Sequence, residues 1–564
     1  MTDEEREPFG TSENCRLASP RVEASPRLDV LLRSYVRSFV LAAAILVLFA
    51  LSVVRTYSLG HNEKFYDNPI YRWRESLAIA LSRMQNPPLQ GYLADRSIRD
   101  YLARHGLALL AGEADVLPTP EQRRALVQDG ARMNQLLQEA ARVPIDPKLE
   151  PVTLTGNELG LADYFYWAFR IYGLNLNALV LFYYSILLVS VTLFFITFRR
   201  SPFCLLLLMF YLIGHFFAVN YANNPLIQTI HNSRFFATLS LLPAMHLLLL
   251  MIHRERASPT NVVVAGLQAF ILFFVVFCRS QAFWQVLAIL AGILVVLRFG
   301  DIWRALAHTK PRPAIKRIFG PTWPALVVIC GLAGFSAYSS TAPDPRFYNS
   351  ESRTHVFWHV LYVGLISTDP ELTSLYGYGE RTYSDMMGYV AVLHDSRGRN
   401  EAPSEFGEVV DGVININAIK DTGAYDRVVQ RIYLSVVAEH PWLTLRSFFV
   451  GKPSDQMEMF TQVAALRNIR AYVEVLVLGL GASVLAVLSG TGLPQRRQIR
   501  ESAIALALLT ICSWTTTLIV PSVLIPDVII FYLMLALLIT TYLPLALVSS
   551  WLMGTTSPRG QTGT

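Results

Sequence analysis

Residues 262–297 read VVVAGLQAFILFFVVF, then CRSQ, then AFWQVLAILAGILVVL. Two apolar runs flank one polar tetrapeptide, Cys278-Arg279-Ser280-Gln281. Together they are too long, and too polar at the centre, for a single membrane helix, because crossing the hydrocarbon takes about 20 apolar residues. The stretch therefore predicts two short spans joined by a tight turn that holds an arginine.

Working outward from this pair, the same criterion predicts about ten spans. They are Val36–Val54, Ala178–Phe198, Phe203–Tyr221, Phe235–Ile252, Val262–Phe277, Phe283–Leu297, Trp323–Tyr338, Tyr472–Ser489, Ala503–Val520 and Val528–Leu547. Composition agrees. Of 564 residues, 53% are hydrophobic and 16% charged, whereas a soluble domain carries about 25% charge. A soluble enzyme, a disordered chain and a fibrous protein are excluded. The five cysteines, Cys15, Cys204, Cys278, Cys330 and Cys512, avoid the long polar loops. They form neither a disulfide framework nor a zinc pattern.

Basic residues predict the orientation. With the N-terminus inside, short inner segments hold Arg33, Arg37, Arg199, Arg200, Arg254, Arg256, Arg298 to Arg317, and Arg496, Arg497 and Arg500. The short outer turns hold only Arg234 and Arg279. Both termini are then cytoplasmic. The first 35 residues are too polar and too long for a cleaved signal peptide, so the first span reads as a signal anchor.

The expected organisation is a cytoplasmic tail at 1–35, a first span at 36–54, and a first outer segment at 55–177. Spans two to seven cover 178–338, a second outer domain 339–471, the last three spans 472–549, and a cytoplasmic tail 550–564. The fold class is an all-α polytopic membrane protein with two extracytoplasmic, mainly helical insertions. In the first, Thr119-Pro120-Glu121-Gln122 predicts a helix start, with Leu126, Met133, Leu136, Leu137 and Ala140 on one face. Ala162–Tyr172 predicts an aromatic interfacial helix. In the second, helices are expected over His355–Ile366 and Tyr425–His440.

Few carboxylates fall in the apolar runs. Glu474 sits near the outer end of the eighth span and Asp527 just outside the tenth. Without a mid-span acidic or arginine relay, chemistry is expected at the outer face rather than along a pore. The first outer segment opens with Glu63, Lys64 and Asp67 close to the bilayer. A carboxylate there suits a general base; a solvated turn before a helix reads the same way. Arg279 suits a phosphate at the membrane boundary, or a guanidinium that snorkels to water. Arg234, with His231 and Asn232, is a further cationic candidate or an interfacial cap. His355 and His359 share a helix face, but no third ligand is spaced to join them, and packed histidines are expected. No metal site is predicted.

The order of parts resembles the GT-C glycosyltransferases, integral membrane enzymes that take a sugar from a polyprenyl-phosphate carrier. Gly160-Leu161-Ala162-Asp163-Tyr164 through Arg200 resembles their helix–glycine–second-span passage. Asn261 to Gln281 looks like their fifth span, with Cys278-Arg279-Ser280 in place of a Thr-Arg-Pro-like turn. Glu439-His440-Pro441-Trp442 is similar to a helix pair outside the membrane in bacterial members. The resemblance implies a GT-C-like fold in a bacterial inner membrane. It implies a lipid-linked sugar donor, a glycan or lipid acceptor, bound membrane lipid and no nucleic acid. The catalytic carboxylate maps to Asp67, then Glu63, with Asp163 in reserve. The donor phosphate maps to Arg279, with Arg234 and Lys64 behind it. Some members need a divalent cation and others do not. Two other readings stay open: an O-antigen-type polymerase or ligase, and a non-enzymatic carrier or scaffold for polysaccharide export.

Overall fold

The computed structural model describes residues 26–59, 72–85, 90–105, 125, 129–153, 159–221, 233–253, 257–297, 311–348, 357–375, 386–398, 409–410, 413–414, 422–455, 469–488, 496–513 and 526–555. It is mostly helical, as an all-α membrane protein should be. Two strand pairs of two residues each complete it.

Among the described residues, six helices are long and apolar enough to cross a membrane: Ser38–Ser58, Leu176–Phe198, Pro202–Val219, Pro259–Cys278, Trp323–Thr341 and Asp527–Ser549. The other four expected spans also fall on helices, but on shorter apolar stretches: Thr238–Ile252, Phe283–Ile293, Val473–Leu488 and Ser502–Ser513. The stretches at 262–277 and 283–297 are indeed separate helices. They are α1 (Pro259–Cys278) and α2 (Phe283–Leu297), joined by a single 3-10 turn at Ser280–Ala282.

Local chemistry sets several boundaries. Ser258 caps α1 by accepting from the Asn261 N–H at 3.1 Å, with Pro259 at the first helical position. Asn175 caps α3 (Leu176–Phe198) by accepting from the Ala178 N–H at 3.0 Å. Gly173, at φ +88°, ends the helix before it, α4 (Gly160–Tyr172). Only glycine takes that backbone without strain.

The bundle is organised around α5 (Pro202–Tyr221), whose membrane window is 94% buried. Gly214 of α5 lets Ile530 of α6 (Pro526–Leu537) approach; a Cβ there would lie 3.0 Å from its side chain. Outward-facing apolar residues such as Phe39, Val263, Phe270 and Ile511 stay exposed, as lipid-facing positions do.

The described residues between 72 and 153 belong to the same core. Leu77, Ile79, Leu81, Ile98, Leu102, Met133, Leu136 and Leu137 are buried in one continuous cluster with the membrane helices. Met133, Leu136, Leu137 and Ala140 line the buried face of Gly130–Ala140, which Asp129 caps. The start expected at Thr119, with Leu126, lies outside the described residues. The aromatic helix expected at Ala162–Tyr172 is α4. It buries Tyr164, Phe165 and Phe169 and exposes Trp167 and Ile171.

The described residues between 357 and 455 have a core of their own, formed by Tyr362, Leu365, Ile366, Tyr389, Tyr425, Val429 and Val436 among others. Their helices include α7 (Phe357–Ile366), α8 (Thr422–Glu439) and α9 (Pro441–Arg446), which continues through a π turn at Ser447–Gly451 to Asp455. Asp426 caps α7 from across the domain, accepting from Trp358 N–H at 3.0 Å and His359 N–H at 3.3 Å. His359 packs inside against Tyr425, 2.7 Å from its hydroxyl; His355 lies outside the described residues.

Candidate functional site

Arg279 forms the C-terminal cap of α1 in extended backbone, φ −150° and ψ 98°, with its N–H donating to Val275 O at 2.7 Å. The turn closes at once, as Ala282 N–H donates to Arg279 O at 3.1 Å. The Arg279 residue is buried, so it does not reach out to bulk water as a snorkelling side chain would.

One flank of this turn is the first residue of α4. A Cβ on Gly160 would sit 2.5 Å from the Phe277 carbonyl carbon and 2.6 Å from the Cys278 nitrogen, so only glycine fits. Cys278 Sγ donates to Gly160 O at 3.2 Å. One turn along α4 lies Asp163, the reserve acid of the sequence reading. Its Oδ1 accepts from Arg83 Nη1 at 2.5 Å. Its Oδ2 accepts from the Tyr92 hydroxyl and, at 3.4 Å, from the Tyr338 hydroxyl. Tyr92 and Tyr338 share a further hydrogen bond of 2.8 Å. Arg83 also lies over the Tyr166 ring, 4.5 Å from its centre, a cation–π contact.

The electrostatics follow from this geometry. Burial alone would lower the Arg83 guanidinium, but the hydrogen bond and charge of Asp163 outweigh it and raise it. Burial, then the Asp163 carboxylate, push the Tyr92 phenol far up, so it stays a donor. Tyr92 is the only non-glycine residue at positive φ among the described residues, at +61°, directly after Gly91 at +79°. This left-handed backbone costs roughly 1–2 kcal/mol. It is held from both sides by the segment following the span Trp323–Thr341. Asp344 N–H donates to Gly91 O at 3.0 Å, and the Tyr348 hydroxyl donates to Tyr92 O at 2.7 Å.

Beside this cluster opens a cavity of about 410 Å³, lined by Arg83, Gln90, Tyr92, Tyr166, Tyr338 and Thr341. Tyr338 and Thr341 lie in the last turn of a helix apolar enough to cross a membrane, so the cavity opens at that helix's C-terminal end. Phe277, two residues before Arg279, packs edge-on against both Tyr92 and Tyr338, with ring centres 6.0 and 5.8 Å apart.

The other flank of the Arg279 turn carries a second acid. Asp527 was expected just outside the tenth span; it lies in the first turn of α6 and is fully buried. Its Oδ2 accepts from Trp284 Nε1 at 2.8 Å and Gln285 Nε2 at 2.7 Å, both in the first turn of α2. Among the described residues, no side chain bonds Asp527 Oδ1 or Gln285 Oε1.

Glu63, Lys64 and Asp67 lie outside the described residues, as do His231 and Asn232. Arg234 lies on the helical turn Ser233–Phe236; its side chain is outside the described residues. Of the residues named from sequence, the structure thus brings together the Asp163 helix and the Arg279 turn. It adds Arg83, Tyr92 and Tyr338, which sequence reasoning misses, and moves Asp527 from the end of a span into the buried interior. Among the described residues no group of three or more metal-ligating side chains gathers.

Inside the bundle, buried polar networks join the helices. The Tyr183 hydroxyl lies 2.7 Å from His215 Nε2 and 2.6 Å from Thr238 Oγ1. Gln268 Nε2 lies 3.0 Å from His246 Nδ1 and donates to Ser190 O at 3.0 Å. Such contacts hold membrane helices together.

Comparison of the chain with family models, with curated proteins and with solved structures finds no match.

Proposed function

We propose that the protein is a membrane glycosyltransferase of the GT-C kind in a bacterial inner membrane. In this reading about ten spans place both termini inside. The enzyme moves a sugar from a polyprenyl-phosphate donor to an envelope glycan or lipid acceptor at the outer face. The observation that carries the reading is the cavity at the end of the Trp323–Thr341 span. Its lining is charge-balanced, with Arg83 neutralised by Asp163, and rich in phenols with one carboxamide, Gln90. A neutral ring of hydroxyls finds donors, acceptors and aromatic faces there. A free anion finds less, because the arginine is already paired.

Roles follow from the chemistry. The donor's bond from anomeric carbon to phosphate oxygen breaks as the acceptor oxygen bonds to that carbon. Arg279 stabilises the charge on the departing phosphate, with Arg234 or Lys64 in support. Asp67, or Glu63 in its place, takes the acceptor's proton. Asp163 orients Arg83 and Tyr92 at the cavity wall. Purified protein in nanodiscs, given radiolabelled polyprenyl-phosphate sugars, tests this. Wild type should transfer label, Asp67→Asn should not despite normal insertion, and Arg279→Ala should weaken donor binding more than acceptor binding. Wild type that neither binds nor turns over any such donor would end the proposal.

A scaffold for polysaccharide export is the second reading. The observation in its favour is that both Asp163 oxygens are engaged by the protein's own Arg83 and Tyr92.

A further inference from the structure

The helical stretch from Pro441 to Asp455 is turned inside out for a protein in water. Thr444, Ser447 and Lys452 are buried. The Ser447 hydroxyl bonds that of Thr368, and Lys452 Nζ lies 4.4 Å over the Phe448 ring. Gly451 presses onto the Thr368 carbonyl, where a Cβ would meet the oxygen at 3.0 Å. The opposite face carries Trp442 at 72% exposure, Leu445 at 48%, Phe449 at 73% and Val450 at 59%. Trp442, Leu445 and Phe449 follow at helical spacing. Trp442 and Phe449 are as exposed as Phe39 and Phe270 on the lipid-facing sides of the spans, at 74% and 69%.

We infer that this face lies in the outer interface of the same bilayer that holds the spans, and docks the second outer domain onto the membrane surface. Three observations select lipid as the occupant. First, the domain is tied to the bilayer on both sides. The span Trp323–Thr341 precedes it, and the apolar helix Ile469–Leu488 begins fourteen residues after Asp455. Fourteen residues reach at most about 50 Å. Second, the stretch is shorter than the roughly 20 residues that cross a bilayer, and a tryptophan stands at its N-terminal end. That suits a helix lying in the interface. Third, Arg446 leaves the apolar face to pair with Asp369 at 2.7 Å and Glu371 at 2.9 Å. The charge on this helix is therefore held by the domain, and the outward face is apolar. The inference rests on the membrane spans alone and stands whether or not sugar transfer is found.

The test uses the full chain in phosphatidylethanolamine–phosphatidylglycerol nanodiscs, with Cys15 and Cys330 replaced by serine. Leu445→Cys and Phe449→Cys are spin-labelled separately, and Lys148→Cys in the first outer segment, exposed and polar, is the water-facing reference. At 445 and 449 the ratio of collisions with dissolved oxygen to collisions with a water-soluble nickel chelate should exceed that at 148 at least tenfold. A ratio at 445 and 449 equal to that at 148 would place the face in water and overturn the inference. Shielding from both reagents, with spin–spin broadening between copies, would overturn it in favour of a second chain. Both labelled positions are exposed, and two independent sites guard against one failed variant.

Discussion

The two long regions between apolar helices, 72–153 and 357–455, solve opposite problems. The first has no core of its own. Its helices bury Leu77, Ile98 and Leu137 in the cluster that continues into the membrane helices, and its charges are spent inward on Asp163. The second closes a separate core around Tyr362, Tyr389 and Tyr425, and leaves a helix with its apolar side outward. The contrast teaches that lying between spans in the sequence does not set a region's energetics. What sets them is whether its apolar residues share a cluster with the spans. The first region should therefore rise and fall with the bundle, and the second should melt by itself.

The strongest way to break this contrast is Gly160→Val. Its side chain would meet the Phe277 and Cys278 backbone, which cannot step aside as a flexible side chain can. A loss of about 3 kcal/mol or more is expected. The first region and the spans should unfold together in a thermal scan, with the second domain's transition unmoved. Asp163→Asn comes next. Removing one partner of a buried ion pair costs ~3–5 kcal/mol. The Arg83 side chain keeps 24% exposure, so about 2 kcal/mol is expected here. Proteolytic nicking of the first outer segment should rise and nicking of the second should not.

Arg446→Ala reverses the comparison. Burial would raise the Asp369 carboxyl, but Arg446 and the Leu372 and Glu371 N–H groups bring it below its ordinary value. A depressed carboxyl stabilises above its unfolded pKa of about 3.9, and that contribution is lost as pH falls through the folded value. The variant should lower the second domain's melting temperature at pH 7, lose that difference as pH falls through the folded value of Asp369, and leave the bundle's transition in place. Lys452→Met is the gentlest probe. Burial pushes the Lys452 ammonium down to about 7 from 10.5. Between those values the unfolded chain binds more protons, so stability rises with pH from about 7 to 10.5. The wild-type second domain should melt higher at pH 9.5 than at pH 7, and Lys452→Met should flatten that slope. A slope unchanged in the variant would assign it to another group.

Hydropathy made the helices legible. The described part of each of the ten apolar runs lies on helices, and the Cys278–Gln281 break is a real turn. The helix α4 could be read from its aromatic spacing. The site could not be read in the same way. Arg83, Tyr92 and Tyr338 stand 80, 71 and 175 residues from Asp163, and no local pattern relates them. His215 and His246 were passed over because a search for acids and arginines does not register a histidine inside an apolar run. The Pro441–Asp455 stretch taught a further limit. Spacing tells which side chains share a face, but not whether that face looks toward protein, lipid or water.

The enclosure of α5 has a consequence for how the protein is made. This helix is apolar enough to enter the bilayer early in synthesis, yet in the finished molecule it is almost wholly shut away from lipid. Part of the wall that encloses it is α6, near the far end of the chain, where Ile530 closes over Gly214. A nascent chain that stops before Pro526 lacks that wall and leaves a groove along α5 next to His215. The packing of α6 thus completes the enclosure of α5, and copies truncated before Pro526 would present the cell's membrane proteases with an unfinished seam.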